Sequence, residues 1–382
     1  MSALNKTYGH EVEVLSLDAP TDPWVSTCPL KVHAKGPGRL SYGYSPHFTP
    51  WLRENRTRYD CVVINGIWQY NAFGAWRALR NTPTPYFVFT HGMLDPWFKK
   101  HYPLKHLKKW MYWPWGDYRV LRDAAAVLFT CEEERRLARQ SFWLYRCDEF
   151  VVNYGTAGPP PGDEEARRKL FAARWPETEG KQCLLHLGRM HEKKGPDLLL
   201  RAFTTFLRKL PPAEAATWHL IMAGPADHPY GREMQNLERS LGISSQVTWT
   251  GMLTGDLKWG AYYQSEAFIL PSHQENFGLV VAESLACSRP VLISNKVNIW
   301  REIVSDDGGF VETDDEPGAL RLIERFHALS PAARQTMREN ASASFQKRFH
   351  IQRSAESFIQ AVAQFSFQRV TPPSASPMQQ VP

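Results

Sequence analysis

The chain has 382 residues, 43% of them hydrophobic and 22% charged, with a formal net charge of +6. That length suits two domains of ordinary size in a globular protein. No apolar run of about 18 residues occurs, which excludes a membrane-spanning helix as the basis of function, and M-S-A-L-N-K-T-Y-G-H at the amino terminus has no apolar core of signal-peptide length. Six cysteines (Cys28, Cys61, Cys131, Cys147, Cys183 and Cys287) keep no C-x-x-C or metal-ligand spacing. They read as reduced, mostly buried thiols of a cytosolic protein. The modest positive charge suits phosphorylated ligands or an anionic membrane face.

In chain order, Gly9-His10 predicts that the chain opens on the tail of a helix, and Glu11 to Leu17 (E-V-E-V-L-S-L) alternates as a half-buried strand does. The run C-V-V-I-N after Asp60 predicts a parallel strand, with Gly66-Ile67-Trp68 at its carboxyl end. Phe87 to Thr90 predicts the next, leading into H-G-M-L-D-P-W from His91 to Trp97. A histidine on the carboxyl edge of a sheet faces the ligand crevice. Taken alone, His91 is better explained as a loop histidine hydrogen-bonded to nearby backbone.

Lys99 to Trp115 carries five lysines and no acid. Beyond Pro103, Leu104, Leu107 and Met111 share one helical face while Lys105, Lys108 and Lys109 crowd the others. A basic, aromatic-rich amphipathic helix is the pattern of a peripheral contact with an anionic membrane. A solvated helix packing its apolar stripe on its own domain fits equally, and no motif supports nucleic acid as the partner. Ala124 to Phe129 predicts a buried strand, and Thr130-Cys131-Glu132-Glu133-Glu134 caps a helix with structural acids at its positive end. After Phe150-Val151-Val152 and Asn153-Tyr154-Gly155, the stretch T-A-G-P-P-P-G-D marks an interdomain boundary. The expected domains are 1–157 and 182–350, with 158–181 as linker and start of the second domain.

Cys183 to Leu187 predicts a strand that runs into a loop holding Arg189 and Lys194 and then a helix. The basic loop has a bland reading as solvated surface, and G-x-x-x-x-G-K-[ST] is absent, so it is not a Walker loop. Further strands are predicted at Trp218–Ala223, Val247–Thr250 and Ala267–Leu270, with a short helix over Asp256–Tyr263. After Ala267–Leu270 comes P-S-H-Q-E-N-F-G-L-V-V-A-E-S-L-A-C-S-R-P from Pro271 to Pro290, a polar loop and then a buried helix from about Gly278. Glu275 in the loop and Glu283 in the helix bracket the amides near Phe277, Gly278 and Leu279, at the positive end of the helix dipole. An anion bound there would have a hydroxyl-rich group on either side, each held by a carboxylate. Hexose, pyrophosphate and ribose in a nucleotide-sugar have that layout. Strands follow at Val291–Ile293 and Gly308–Val311, then helices near 316–328, 331–345 and 350–366, and a Pro/Ser/Gln-rich tail over 370–382 that composition marks as disordered.

Glu-x7-Glu alone is a weak signal, but its surroundings are not. The segment resembles the donor-site signature of family four retaining glycosyltransferases, P-S-x-x-E-x-F-G-x-x-x-x-E-A-x-A-x-G-x-P-V. Pro271, Ser272, Glu275, Phe277, Gly278, Glu283, Ala286, Pro290 and Val291 match it, and Ser284 and Ser288 depart from it, the latter where a residue tolerant of positive φ is wanted. Gly188-Arg189 with Lys194-Gly195 is similar to the family's G-R-x-x-x-x-K-G, and H-G-M-L-D-P-W to a motif of its polysaccharide-building members. The resemblance implies an α/β protein of the GT-B fold, with two Rossmann-like domains facing across a cleft and a last helix, 351–369, crossing back to the first domain. G-H-E-V-x-V-L corresponds to the family's second strand, so the first strand and its Gly-rich loop have no counterpart here, and Asn65 stands where H-G-x-W has histidine.

The resemblance also implies roles. Arg189 and Lys194 would grip the donor diphosphate, whose charge grows as the sugar–phosphate bond breaks. Glu275, Asn276, Phe277, Gly278, Leu279 and Glu283 would complete the donor site, and His91 and Glu275 would act at the reacting carbon. The expected reaction moves a hexose from a nucleotide diphosphate sugar to a glycan or lipid-linked glycan in polysaccharide biosynthesis, retaining anomeric configuration. No D-x-D occurs, so no metal and no other cofactor is expected. Relatives acting on lipid-linked acceptors dock a basic face on membrane, so the expected location is cytoplasmic with a peripheral contact at the inner membrane face. A nucleotide-sugar 2-epimerase and a degenerate, non-catalytic donor-binding subunit are the alternative readings.

Overall fold

The computed structural model describes Leu4 and residues 7–368; the tail expected over 370–382 lies outside them. The chain forms two compact units, Met1–Asn153 with Ser354–Pro382, and Tyr154–Arg353. The break therefore falls after Asn153 rather than at 157, and the Pro/Gly stretch belongs to the second unit. The reason is pairing: Thr156 bridges to His350, its N–H donating to Phe349 O at 3.0 Å while Ile351 N donates to its carbonyl at 3.0 Å. The segment 158–181 lies wholly in the second unit, as its start: it contains the helix Glu164–Arg174, which packs inside that unit against the helix Gly255–Gln264.

The first unit holds two parallel sheets. One pairs β1 (Glu13–Ser16) with β2 (Lys31–Ala34); the other runs β3 (Val62–Asn65), β4 (Tyr86–Phe89), β5 (Ala126–Phe129) and β6 (Glu149–Val151) in sequence order. Strands β4 and β5 are buried throughout. Their continuous apolar runs suit this, since helices cover both faces of a parallel sheet. Ile64 and Val88 point into one core with Phe48, Trp76 and Leu121, and Phe87, Phe89 and Leu128 into another with Phe358, Val362 and Phe365. The last three sit on the helix Ile351–Gln368, where a crossing helix was expected. β2 had no counterpart among the expectations: K-V-H-A is short, and its alternation is carried by one valine and one alanine.

The second unit is a doubly wound sheet. Its strands are β7 (Gln182–Leu187), β8 (Trp218–Ala223), β9 (Val247–Gly251), β10 (Ser265–Leu270), β11 (Val291–Ser294) and β12 (Gly309–Glu312), in the spatial order β12-β11-β10-β7-β8-β9, all parallel. The chain builds outward from β7 through β8 to β9, then returns and builds the other way from β10. The order reverses between β7 and β10. In open α/β sheets the crevice outside the carboxyl ends of the strands at such a reversal is where ligands bind.

Candidate active site

Two loops leave the carboxyl ends of the strands flanking that reversal, 188–195 after β7 and 271–278 after β10. They are locked together. His273 N donates to Lys193 O at 2.8 Å, and Lys193 Nζ lies 3.3 Å from Gln274 Oε1. Gly195, at φ +63°, lies so close that a Cβ there would stand 2.4 Å from Pro271 O. A third loop, after β11, holds the second from below: Glu275 N donates to Lys296 O at 3.0 Å and Asn298 N to Glu275 O at 3.0 Å.

These locks bring the side chains of Lys194 and Glu275 into a direct ion pair, with 17% and 18% of the side chains exposed. Burial, with the charges of Arg189 and Lys193 nearby, pushes the Lys194 ammonium down to about 8. The carboxylate of Glu275 against it works the other way, so Lys194 is charged at neutral pH. Arg189 is exposed on the same loop. Lys194 and Glu275, assigned to diphosphate and sugar on the sequence, thus hold each other here. A ligand phosphate that takes over the ammonium would leave the carboxylate turned toward a sugar hydroxyl.

The helix Leu279–Ala286 starts next to this pair. Gly278 takes φ +79°, a conformation that favours glycine, and a Cβ there would stand 3.0 Å from Val281 Cγ2 and 3.3 Å from Glu275 Cγ. The amides at its head stand at the positive end of the helix dipole. Phe277 is buried, its ring edge-on to Tyr154 and Phe349 at 5.3 and 5.8 Å, which anchors the turn from below. Asn276 Oδ1 lies 3.4 Å from Asn298 Nδ2, and Leu279 is 43% exposed.

Glu283, expected to face a ribose, has two protein partners. Lys258 Nζ lies 2.8 Å from Oε1 and the buried Tyr262 hydroxyl donates to Oε2 at 3.1 Å. No local pattern in D-L-K-W-G-A-Y-Y marks Lys258, because its partner is 25 positions away and only the packing of two helices unites them.

His91 belongs to the other unit, at the carboxyl end of β4. It takes φ +47°, uncommon for a residue with a side chain, and its ring stacks on Phe89 at 5.3 Å. Nε2 lies 3.0 Å from Asn65 Oδ1, so the asparagine that replaces histidine after β3 meets His91 directly. Burial pulls the His91 pKa below the ordinary imidazole value and keeps the ring neutral at pH 7. The strained turn is fastened by Glu134, which by sequence is an acid at the start of a helix. Buried Glu134 accepts from Thr90 Oγ1 at 2.8 Å, Gly92 N at 2.5 Å, Thr130 N at 2.8 Å and Thr130 Oγ1 at 2.6 Å. Two of these four donors, the Thr90 hydroxyl and the Gly92 amide, flank His91, so one carboxylate ties down both of its neighbours.

Two family models cover most of the chain, "Glycosyl transferases group 1" over residues 168–344 and "Glycosyl transferase 4-like domain" over 2–155. The chain belongs to the group 1 glycosyltransferases. Among curated relatives it is similar to the D-inositol 3-phosphate glycosyltransferases of Actinosynnema mirum (31% identity, covering 65% of this chain and 60% of the relative) and Kineococcus radiotolerans (29%, covering 54% and 47%). The chain thus spans about half the length of the relatives it matches. Among solved structures, Anabaena HepE in complex with UDP and glucose superposes with a TM-score of 0.72 at 16% identity over 94% of each chain. Sucrose-phosphate synthase of Thermosynechococcus elongatus does so with 0.68 at 19%, covering 90% of this chain and 84% of that one. At such identities the likeness shows the fold, which is GT-B.

As a group 1 glycosyltransferase the chain has an unusual helix end at Ser288. The position takes φ +54° although serine carries a Cβ, a conformation that costs a side-chain-bearing residue about 1 kcal/mol. The adjacent bonds explain why it persists: Arg289 N donates to Ser284 O at 2.9 Å, and Ser284 Oγ donates to Arg289 O at 3.0 Å. Both departures from the signature, Ser284 and Ser288, meet in this one turn. Of the cysteines, Cys131, Cys183 and Cys287 are buried and the other three partly so, all as free thiols.

Proposed function

We propose that this chain moves a hexose from a nucleotide diphosphate sugar to a hydroxyl of a glycan or lipid-linked glycan, with retention of anomeric configuration, in polysaccharide biosynthesis. One observation carries the reading: the Lys194–Glu275 pair at the head of the Leu279–Ala286 helix, beside Arg189, at the reversal of the sheet. The diphosphate sits against Lys194, Arg189 and the helix amides. The bond between the anomeric carbon and the leaving phosphate oxygen breaks, the acceptor oxygen bonds to that carbon from the same face, and its proton passes to the leaving phosphate. Cationic side chains and the helix dipole stabilise the developing charge, so the reaction needs no metal. Glu275 accepts from a sugar hydroxyl, and His91 serves the acceptor side as a neutral hydrogen-bonding group. The UDP and glucose held by HepE support this class of donor. The matched relatives' names favour a second acceptor, an inositol phosphate.

The test is a donor screen by mass spectrometry across several nucleotide-sugars, with each acceptor class added separately and the product's anomeric proton coupling read by NMR. A glycoside with the donor's anomeric configuration, formed at the same rate with EDTA present, is the expected result. Donor consumption without acceptor would make it an epimerase, and inversion would sink the mechanism.

The exposure of the basic segment supports a membrane contact. In the helix Pro103–Tyr112 no residue is buried, and Leu104, Leu107 and Met111 are 77%, 52% and 58% exposed, with Trp115 at 68%. The apolar stripe is more than half exposed, which favours the membrane contact over packing on its own unit. No helix among the described residues is long and apolar enough to cross a membrane. We assign this stripe, ringed by Lys99, Lys100, Lys105 and Lys108, to a peripheral contact with an anionic bilayer at the inner face of the cell membrane. Co-sedimentation with phosphatidylserine vesicles should be strong at low salt, and should fall at least tenfold in Leu104→Glu/Leu107→Glu. Equal recovery of both proteins in the pellet would refute the assignment.

A further inference from the structure

Two neighbouring strands of the first unit end in the same uncommon way. Just beyond β3, Trp68 takes φ +75°, and just beyond β4, His91 takes φ +47°. Backbone strain of this kind persists only where the surroundings enforce it, and it concentrates at functional sites. The two turns are joined. Trp68 Nε1 donates to Met93 O at 3.3 Å, Ile67 N donates to Met93 Sδ at 3.3 Å, and Asn65 Oδ1 lies 3.0 Å from His91 Nε2. Glu134 fastens the His91 turn, and a second carboxylate fastens the other: Trp68 N donates to Asp117 Oδ2 at 3.2 Å.

Asp117 opens the helix Asp117–Arg122 and is fully buried. Its Oδ1 is buried too and has no hydrogen-bond partner among the described residues. Burial raises the carboxyl to about 7, against the pull of the Trp68 amide and of the Lys109 ammonium. An acid held above its ordinary value in the fold binds its proton more tightly there than in the unfolded chain. Stability is therefore lost as pH rises from the ordinary carboxylate range to about 7, and stays lost above it. A neutral group of the same shape would cost less. Buried groups left half satisfied, with a displaced pKa, are candidates for function rather than stability.

The groups around Asp117 come from separate elements. The helix Pro103–Tyr112 turns His106, Lys109 and Tyr112 toward its own unit and leaves Leu104, Leu107 and Met111 outside. Lys109 Nζ stands 4.4 Å from the centre of the Trp68 ring; burial lowers its ammonium and Asp117 supports it. His106 stacks on Phe142 at 4.9 Å, and burial, with Lys99 and Lys109 nearby, lowers its pKa. The Tyr112 and Tyr42 hydroxyls share a hydrogen bond of 2.8 Å, and burial raises both phenols, so they stay neutral. Tyr70 meets Tyr42 edge-on at 6.0 Å. Lys109 is the cation that answers the Asp117 carboxylate.

We propose that Asp117, with Lys109 as its counter-charge, is a positioning residue: it holds the Trp68 turn, and through Met93 and Asn65 that turn sets the place of the His91 ring. The proposal rests on the reading of His91 as an acceptor-side group. A hydrogen bond to a charged acceptor is roughly twice as strong as a neutral one, so the ionised form holds the strained turn more tightly. That grip is what an acid supplies where asparagine would also fit.

The experiment sets full-length Asp117→Asn, Asp117→Ala and Lys109→Gln beside the wild type. NMR follows the Trp68 amide and the His91 ring across the neutral pH range, with nucleoside diphosphate affinity, kcat/KM for acceptor and melting temperature measured alongside. The wild-type Trp68 amide should show an inflection at about pH 7, which Asp117→Asn loses and Lys109→Gln moves upward. At about pH 8, above the Asp117 value, Asp117→Asn should melt no lower than the wild type, yet lose about threefold to tenfold in kcat/KM for acceptor. Asp117→Ala should lose about tenfold or more. Both should shift the His91 ring signals and leave nucleoside diphosphate affinity unchanged, because the donor loops belong to the other unit. His91 signals unmoved in Asp117→Ala, or losses of transfer that only follow losses of melting temperature, overturn the proposal. Should Asp117→Ala not fold, Asp117→Asn decides: wild-type transfer with an unmoved His91 signal overturns it. If the wild type transfers no sugar, the transferase reading fails by itself, and the NMR signals still decide whether Asp117 sets His91.

Discussion

Lys194→Ala should lower kcat/KM for sugar transfer by about 10²–10³-fold, the usual cost of removing one preorganised charge from a developing oxyanion. The fold should survive. The side chain lies on a loop, and the carboxylate it leaves behind on Glu275 is 18% exposed, so water can reach it. Glu275→Ala should cost a similar factor, and the double variant little more than either single one, because the two groups act as a unit. The same lysine predicts a pH limit. Its folded pKa lies at about 8, below the ordinary lysine value, so the charge is present below that pH and is lost as pH rises through it. The profile of kcat/KM, which reports the free enzyme, should therefore decline above about pH 8 in the wild type. Turnover by Lys194→Ala at the wild-type rate, with circular dichroism confirming its fold, would place the diphosphate elsewhere.

Gly195→Ala should destabilise the second unit and disable the site together. The glycine holds φ +63°, and an added Cβ would stand 2.4 Å from Pro271 O. Neither atom belongs to a flexible side chain, so the two loops must separate. The backbone strain, of about 1 kcal/mol, and the overpacking, of about 1–3 kcal/mol, together predict a loss of about 2–4 kcal/mol. For a unit of this size that lowers the melting temperature by about 5–15 °C. Separation also pulls Lys194 from Glu275, so donor affinity and kcat should fall even at temperatures where the variant is folded. Gly180→Ala is the control. Its φ of +71° imposes similar strain, but nothing lies within 4 Å of an added Cβ, so it should cost about 1 kcal/mol and leave transfer unchanged. If Gly195→Ala behaves like this control, the two loops are not locked through that contact.

Most of the second unit was legible. Runs such as Leu184-Leu185 and Phe268-Ile269-Leu270 are buried on both faces, so their composition is dictated by their place in the sheet. Arg189, Lys194, Glu275 and Gly278 sit after β7 and β10, where the sequence pattern placed them. The first unit was less legible. The helices Phe48–Asn55 and Tyr70–Leu79 went unpredicted because each mixes aromatic and polar residues without a capping residue: neither His47 nor Gln69 makes a side-chain cap. Glu134 looked like an ordinary helix-start acid because its partners include Thr90 and Gly92, more than forty positions upstream.

The order of elements, the carboxyl-edge loops and the chemical types they carry were determined by the amino-acid sequence, since strand burial, glycine turns and charged loops each impose a local pattern. Partnership was decided only by the tertiary structure. It set Lys194 against Glu275, gave Glu283 to Lys258 and Tyr262, bared the apolar stripe of the basic helix, and brought Asp117 to the Trp68 amide. Side chains far apart in sequence meet through the packing of whole elements, and local residue pattern carries no record of that distance.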